Sequence, residues 1–205
     1  MQGAIIETES LRAYDPAENP EQRPQEILQE TIEKILDKIE ESHRPVLSPG
    51  NGVRLAGAIE EFHELVDVLG VPVVTGMSSV DALESDHPYF VGRSGGTGTR
   101  PGNFALQNSD VLLSIGNRQG FAQTGFQYQD WARESYTILN DIDENELKKP
   151  NLHVSLPVVG DAGELIRGLL AEAKKRGADK EYPLFKGRRL EKTVSPLEKK
   201  VSGCD

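Results

Sequence analysis

Three groups of residues have the types and spacing to hold a phosphorylated ligand. The first is Gly50-Asn51-Gly52, which follows an apolar run and precedes a helical pattern. Glycines placed directly after a strand let the backbone approach a phosphate, and the helix behind them offers unpaired N–H groups and the positive end of its dipole. The second is Gly92-Arg93-Ser94-Gly95-Gly96-Thr97-Gly98-Thr99-Arg100. Its four glycines, hydroxyls and flanking arginines suit it to curl around a diphosphate or a ribose. The third is Asp141-Ile142-Asp143 with Glu146 in the turn beyond. A carboxylate there accepts two hydrogen bonds at once, as ribose hydroxyls require. Each group also has a purely structural reading: tight-turn glycines, a flexible surface loop, and a helix cap by Asp143.

Between the second and third groups lies the stretch 110–125. It is an almost wholly apolar run, 111–115, followed by a polar, glycine-punctuated loop with one arginine, Arg118. Such a run reads as a strand buried on both faces of a parallel sheet, and ligands of open α/β sheets bind beyond the carboxyl ends of strands.

Reactive constellations are missing. The dinucleotide fingerprint needs a third glycine where Leu55 stands, and an acid at the end of the second strand where Thr75 stands. Both departures argue against an ordinary NAD dehydrogenase. There is no Gly-x-x-x-x-Gly-Lys-Ser/Thr loop and no Gly-x-Ser-x-Gly elbow. His43, His63, His87 and His153 have no metal-ligand spacing, and the one cysteine, Cys204, excludes an internal disulfide and a Cys-based zinc site.

The elements that would position these groups alternate strand and helix. Residues 1–25 are irregular, broken by Pro16, Pro20 and Pro24, with a short strand conceivable at 4–7. Apolar residues from Ile27 to Ile39 recur at three and four positions, which predicts an amphipathic helix ending near Ser42. Strands are predicted at 45–48, 71–75, 89–92, 111–115, 136–140 and 154–159, the last demoted to an edge by Pro157. Helices are predicted at 55–69, 103–108, 126–133, 144–149 and 165–173, and the Lys- and Arg-rich tail from 176 reads as extended or disordered. This pattern defines an α/β fold: a three-layer, doubly wound, six-stranded parallel sheet, Rossmann-like, of order 3-2-1-4-5-6 with helices on both faces. The domain division is then a linker over 1–25, one domain over 26–175 and a tail over 176–205. Neither an internal repeat nor a low-complexity segment is present.

A net charge of −10 disfavours non-specific binding to nucleic acid. No apolar run approaches the roughly 18 residues that a membrane span needs. The first residues lack the basic and apolar regions of a secretory signal. A cytoplasmic protein is the plain expectation.

Taken together, residues 45–52, 72–77, 92–103, 110–125, 140–150 and 160–162 resemble the central domain of thiamine-diphosphate-dependent enzymes, and most nearly that of acetolactate synthase and its relatives. The resemblance covers about residues 20–170, in order and spacing. It implies a domain of three, preceded by a pyrimidine-binding domain and followed by a diphosphate-binding domain in an oligomeric 2-oxo-acid carboligase or decarboxylase. The residues that bind thiamine diphosphate and magnesium belong to those other domains, so this chain alone is expected to be inactive, as an excised domain or a truncated product. In acetolactate synthases the central domain holds a structural FAD, while some relatives bind ADP there or nothing.

Carried over position by position, the resemblance implies a cofactor site of Gly50, Asn51, Gly52, Thr75, Gly76, Met77, Gly95, Gly98, Thr99, Gly116, Arg118, Asp141, Ile142, Asp143, Glu146, Gly160 and Asp161. Two departures weaken it. An acid and a second arginine of the family pattern are replaced by Gly120 and Ala122, and a histidine by Thr97. The competing expectation is a stand-alone flavin- or nucleotide-binding module, or a docking module without a ligand.

Overall fold

The computed structural model describes residues 26–185, together with Ala13 and Asp15. The short strand expected at 4–7, the irregular 1–25 segment apart from those two residues, and the tail beyond 185 lie outside the described residues.

Helix α1 (Gln29–Glu41) forms where the three- and four-residue spacing buries Ile32, Ile35, Leu36 and Ile39. Its start has no side-chain cap of its own. The Glu164 carboxylate instead accepts from the Ile27 N–H at 2.9 Å, and at its end the Ser42 hydroxyl donates to the Ile39 carbonyl at 2.7 Å. The chain continues through β1 (Pro45–Pro49), α2 (Asn51–Leu55), α3 (Ile59–Leu69), β2 (Val73–Thr75), β3 (Phe90–Arg93), α4 (Arg100–Gln107), β4 (Val111–Ile115), α5 (Phe121–Thr124), β5 (Tyr136–Asp141), α6 (Glu144–Leu147), β6 (Leu156–Val159) and α7 (Ala162–Lys175).

All strand pairs are parallel, and the six strands lie in the order β3-β2-β1-β4-β5-β6. This is the topology that the strand and helix alternation predicts, with Pro157 on an edge strand. Alternate residues of the central strands feed two cores. Leu47, Val111, Leu113 and Ile115 join α1, α3 and α7 in the large cluster. Val46, Val74 and Leu112 meet Leu106 of α4, Trp131 and Ala132 on the opposite face. One layer is thus built from three long helices and the other from one helix and a loop.

Four local departures have physical causes. The helix expected over 55–69 is two helices, because Gly57 turns at φ +63° and ends α2. Helix α4 begins at Arg100 rather than 103, since Thr99 caps it by accepting from the Gly102 N–H at 3.3 Å. The helix expected over 126–133 is absent. A 3-10 turn at Tyr128–Asp130 stands there, and the Gln107 side chain takes the Ala132 N–H at 2.7 Å and donates to the Asp130 carbonyl at 3.1 Å. Ala132 then adopts φ +45°, outside helical space. Last, α7 extends from Ala162 to Lys175 because Asp161 caps it, and past its end the chain folds back, with Leu184 and Phe185 against the large core. No helix among the described residues is long and apolar enough to cross a membrane.

Candidate functional site

The order of the strands makes β1 and β4 neighbours whose connections leave in opposite directions, which opens a crevice beyond their carboxyl ends. The floor of that crevice is backbone packed on backbone. The Gly50 N–H donates to the Ile115 carbonyl and the Gly52 N–H to the Gly116 carbonyl, both at 2.9 Å. A Cβ on Gly50 would lie 2.2 Å from the Gly116 oxygen, and one on Gly52 2.7 Å from the Gly116 Cα. Gly116 itself turns at φ +55°. These glycines therefore let two loops abut.

Below the floor lies a layer of buried polar side chains that sequence reasoning did not single out. Asn117 donates to the Ser48 hydroxyl at 3.2 Å and to the Pro49 carbonyl at 3.3 Å. Gln119, at φ +50°, donates from its amide to the Ser114 hydroxyl at 3.0 Å. Asn140 donates to the Val158 carbonyl at 3.1 Å and to the Gly160 carbonyl at 3.0 Å, while its oxygen accepts from the Gly116 N–H at 3.2 Å. Their signal was present as polar residues at the ends of apolar strands. Ser48 and Ser114 sit in register, as do Ile115 and Asn140.

Above the floor is a cavity of about 360 Å³, lined by Asn51, Met77, Gly116, Arg118, Ala122 and Gln123 among others. Among the described residues Arg118 is the only cationic side chain of the lining. A second hollow of about 250 Å³ adjoins it on the α4 side, and Gln123 lines both. The Gln123 amide nitrogen packs over Gly76, where a Cβ would meet it at 2.0 Å, and it has no hydrogen-bond partner among the described residues. The Thr75 hydroxyl and the Trp131 ring nitrogen are likewise buried without a partner among the described residues.

The glycine segment is tied both to itself and to its neighbours, the Gly96 N–H donating to the Ala122 carbonyl at 3.0 Å and the Ser94 N–H to the Thr75 carbonyl at 2.9 Å. Asn103 clamps Gly95, accepting from its N–H at 2.8 Å and donating to its carbonyl at 3.0 Å. The Gly98 N–H donates to the Gly95 carbonyl at 2.9 Å, and Thr99 caps α4. The Gly76 N–H donates to the Ser79 hydroxyl at 3.0 Å. Met77, at 59% exposure, stands free on the rim.

At the β5 end, Asp141 accepts from the Asp143 N–H at 3.0 Å, Asp143 caps α6, and Ile142 is exposed. The Arg118 Nε donates to Glu146 at 3.0 Å, Lys149 also pairs with Glu146, and Lys149 donates to the Arg118 carbonyl at 3.1 Å. Burial pushes the Asp141 carboxyl above its ordinary range. Glu146 moves the other way: burial opposes its charge, but hydrogen bonds from Lys149 and Arg118 outweigh burial and hold it below. The Gly160 N–H donates to the Asp141 carbonyl at 3.0 Å, and Asp161 is spent capping α7.

Most of the predicted residues thus fall into two sets that share Gly116. Asn51, Met77, Gly116 and Arg118 converge on the cavity, with Glu146 behind Arg118. The amides of Gly50, Gly52, Gly76, Gly95, Gly98, Gly116 and Gly160 are engaged within the fold. Among the described residues, no three His, Cys, Asp or Glu side chains converge as metal ligands.

Sheet order and crevice together define an α/β protein of the doubly wound class, with a cavity at the switch between β1 and β4. Residues 32–169 match the model of the thiamine pyrophosphate enzyme central domain, and the chain belongs to that family. It is similar to the probable acetolactate synthase large subunits of Methanococcus aeolicus (37% identical over 65% of this chain and 22% of that protein) and Methanocaldococcus jannaschii (39% over 65% and 22%). It is also similar to the sulfoacetaldehyde acetyltransferase of Roseovarius nubinhibens, 30% identical over 82% of this chain and 28% of that protein. In these alignments the chain spans 22–28% of the length of the relatives it matches.

Proposed function

We propose that this central domain serves an acetolactate-synthase-like, thiamine-diphosphate-dependent enzyme as a structural nucleotide cradle, taking ADP or the ADP half of FAD with a weak grip. The carrying observation is the cavity at the switch point, with Arg118 as the one cation of its lining among the described residues. Its volume of about 360 Å³ is at the small end for ligand sites. Side chains supply the contacts: Arg118 for a phosphate, Asn51 and Gln123 for polar edges. The glycine amides do not, being paired already. Gly120 and Ala122 leave the diphosphate one cation short of the family pattern, which accounts for the weak grip.

On this reading thiamine diphosphate and magnesium are held elsewhere in the parent enzyme. They belong to pyrimidine- and diphosphate-binding domains of the parent, which is a homo-oligomer. The chain alone turns over no pyruvate, and acetolactate formed by it would sink that statement. The second reading, a docking module without ligand, draws on the exposed rings of Phe121 and Phe126, 65% and 87% exposed and 5.3 Å apart beside the cavity.

Calorimetric titration with ADP and FAD separates the two. Saturable ADP binding is expected, weakened roughly 10- to 100-fold by Arg118→Ala, the worth of one charge-assisted contact. Equal binding by both proteins removes Arg118 from the site. No heat and no thermal shift with either ligand favours docking.

A further inference from the structure

Resting on the nucleotide reading, we propose that Glu146 and Lys149 are positioning residues: they brace Arg118 so that its terminal guanidinium nitrogens meet a nucleotide's diphosphate as a pre-set fork. Arg118 stands at the lip of the cavity with its side chain 74% exposed, a position from which an arginine samples many rotamers. Here it is held at two points. Both Glu146 carboxylate oxygens lie 3.0 Å from its Nε, and Lys149 donates to its main-chain carbonyl at 3.1 Å.

Lys149 also pairs with Glu146, closing a triangle between the β4 loop and the turn around α6. Glu146 and Lys149 are themselves shielded, at 20% and 21% exposure, so the triangle is sheltered where the arginine is not. Among the described residues the two terminal nitrogens of Arg118 have no protein acceptor. The fork is therefore tied at its base and open at its tip, the geometry that a bidentate phosphate contact uses. The triangle carries two positive charges and one negative, so Arg118 keeps its net attraction for an anion.

A charge count alone predicts the opposite effect for one substitution. Glu146→Gln removes an anion from the lip, which by electrostatics should tighten a diphosphate. The brace predicts that it weakens, because a loosened arginine must be ordered when the ligand binds.

The experiment titrates the 205-residue chain with ADP and, separately, with adenosine, which lacks the phosphates. Glu146→Gln and Lys149→Met are each expected to weaken ADP by roughly two- to tenfold, the cost of immobilising one freed side chain. Adenosine binding should stay as in the parent chain, and the thermal midpoint at neutral pH should fall by only about 1–4 °C, the worth of a largely exposed ion pair. ADP binding that is equal or tighter in Glu146→Gln overturns the brace and leaves the site reading standing. Adenosine weakened as much as ADP also overturns it, by showing a general loosening of the site. ADP that binds no form of the chain overturns the site reading and the brace together.

Discussion

The Asp141 carboxyl lies above its ordinary value of 3.8 chiefly because burial strips its hydration, with the Glu146 charge adding to the effect. A raised carboxyl value in the folded chain means that the ionised form is disfavoured by folding. Asp141 therefore subtracts from stability at neutral pH, and the loss is relieved as pH falls through the raised value towards 3.8. Asp141→Asn keeps an oxygen for the Asp143 N–H and removes the charge. It should raise the thermal midpoint at pH 7 by about 2 °C and leave it unchanged near pH 3, by scanning calorimetry. A lower midpoint at pH 7 would show that the charge is wanted. Glu146 runs the other way. Its value is lowered, so its contribution is present above the ordinary 4.5 and is lost as pH falls through the lowered value. Identity alone made Arg118 and these carboxylates legible as candidates in the sequence. The cap by Asp143 was legible as its structural reading, and it is found at the start of α6; which carboxylate pairs with the arginine was not, because α6 has only four residues and its turn places Glu146 by tertiary contact.

At the scale of elements, the loops after β1 and β4 form one structural unit. Gly50→Ala would place a methyl group 2.2 Å from the Gly116 oxygen and force the two loops apart. We expect a loss of about 1–3 kcal/mol in urea unfolding with an unchanged m-value. Gly120 is the contrast: it has φ −69° and nothing within 4 Å of an added Cβ. Gly120→Ala should stay within about 0.5 kcal/mol of the parent. Similar losses at both positions would mean that glycine content, rather than loop contact, sets the effect. The strands were legible because a strand buried on both faces needs a nearly continuous apolar run, as β1 and β4 have apart from Ser48 and Ser114. The loop between β4 and β5 was not. Phe126, Tyr128 and Trp131 lie at spacings that allow a helix, but the Gln107 side chain and the buried Trp131 hold the backbone open instead. No local pattern reports a hydrogen bond made by a glutamine 25 residues away.

At the scale of the whole molecule, topology was legible because each short loop between a strand and a helix leaves few right-handed ways to build the sheet. The return of the chain after α7 was not. Residues 177–185 have no apolar period, yet they finish the large core. Helix ends leave carbonyls without partners, and two of those at the end of α3 are met here. Leu184 donates to the Val68 carbonyl and Phe185 to the Leu69 carbonyl, both at 2.9 Å, while both side chains pack on the core. Gly70, at φ +68°, lets Pro183 close over the turn. If this return is part of the domain, a chain of residues 26–179 should be less stable than one of residues 26–185. Two hydrogen bonds and two partly buried apolar side chains are together worth about 2–4 kcal/mol. For a domain of this size that lowers the thermal midpoint by about 5–10 °C. The longer piece should also unfold in a single transition. Equal midpoints would make the return a surface decoration and place the domain's end at α7.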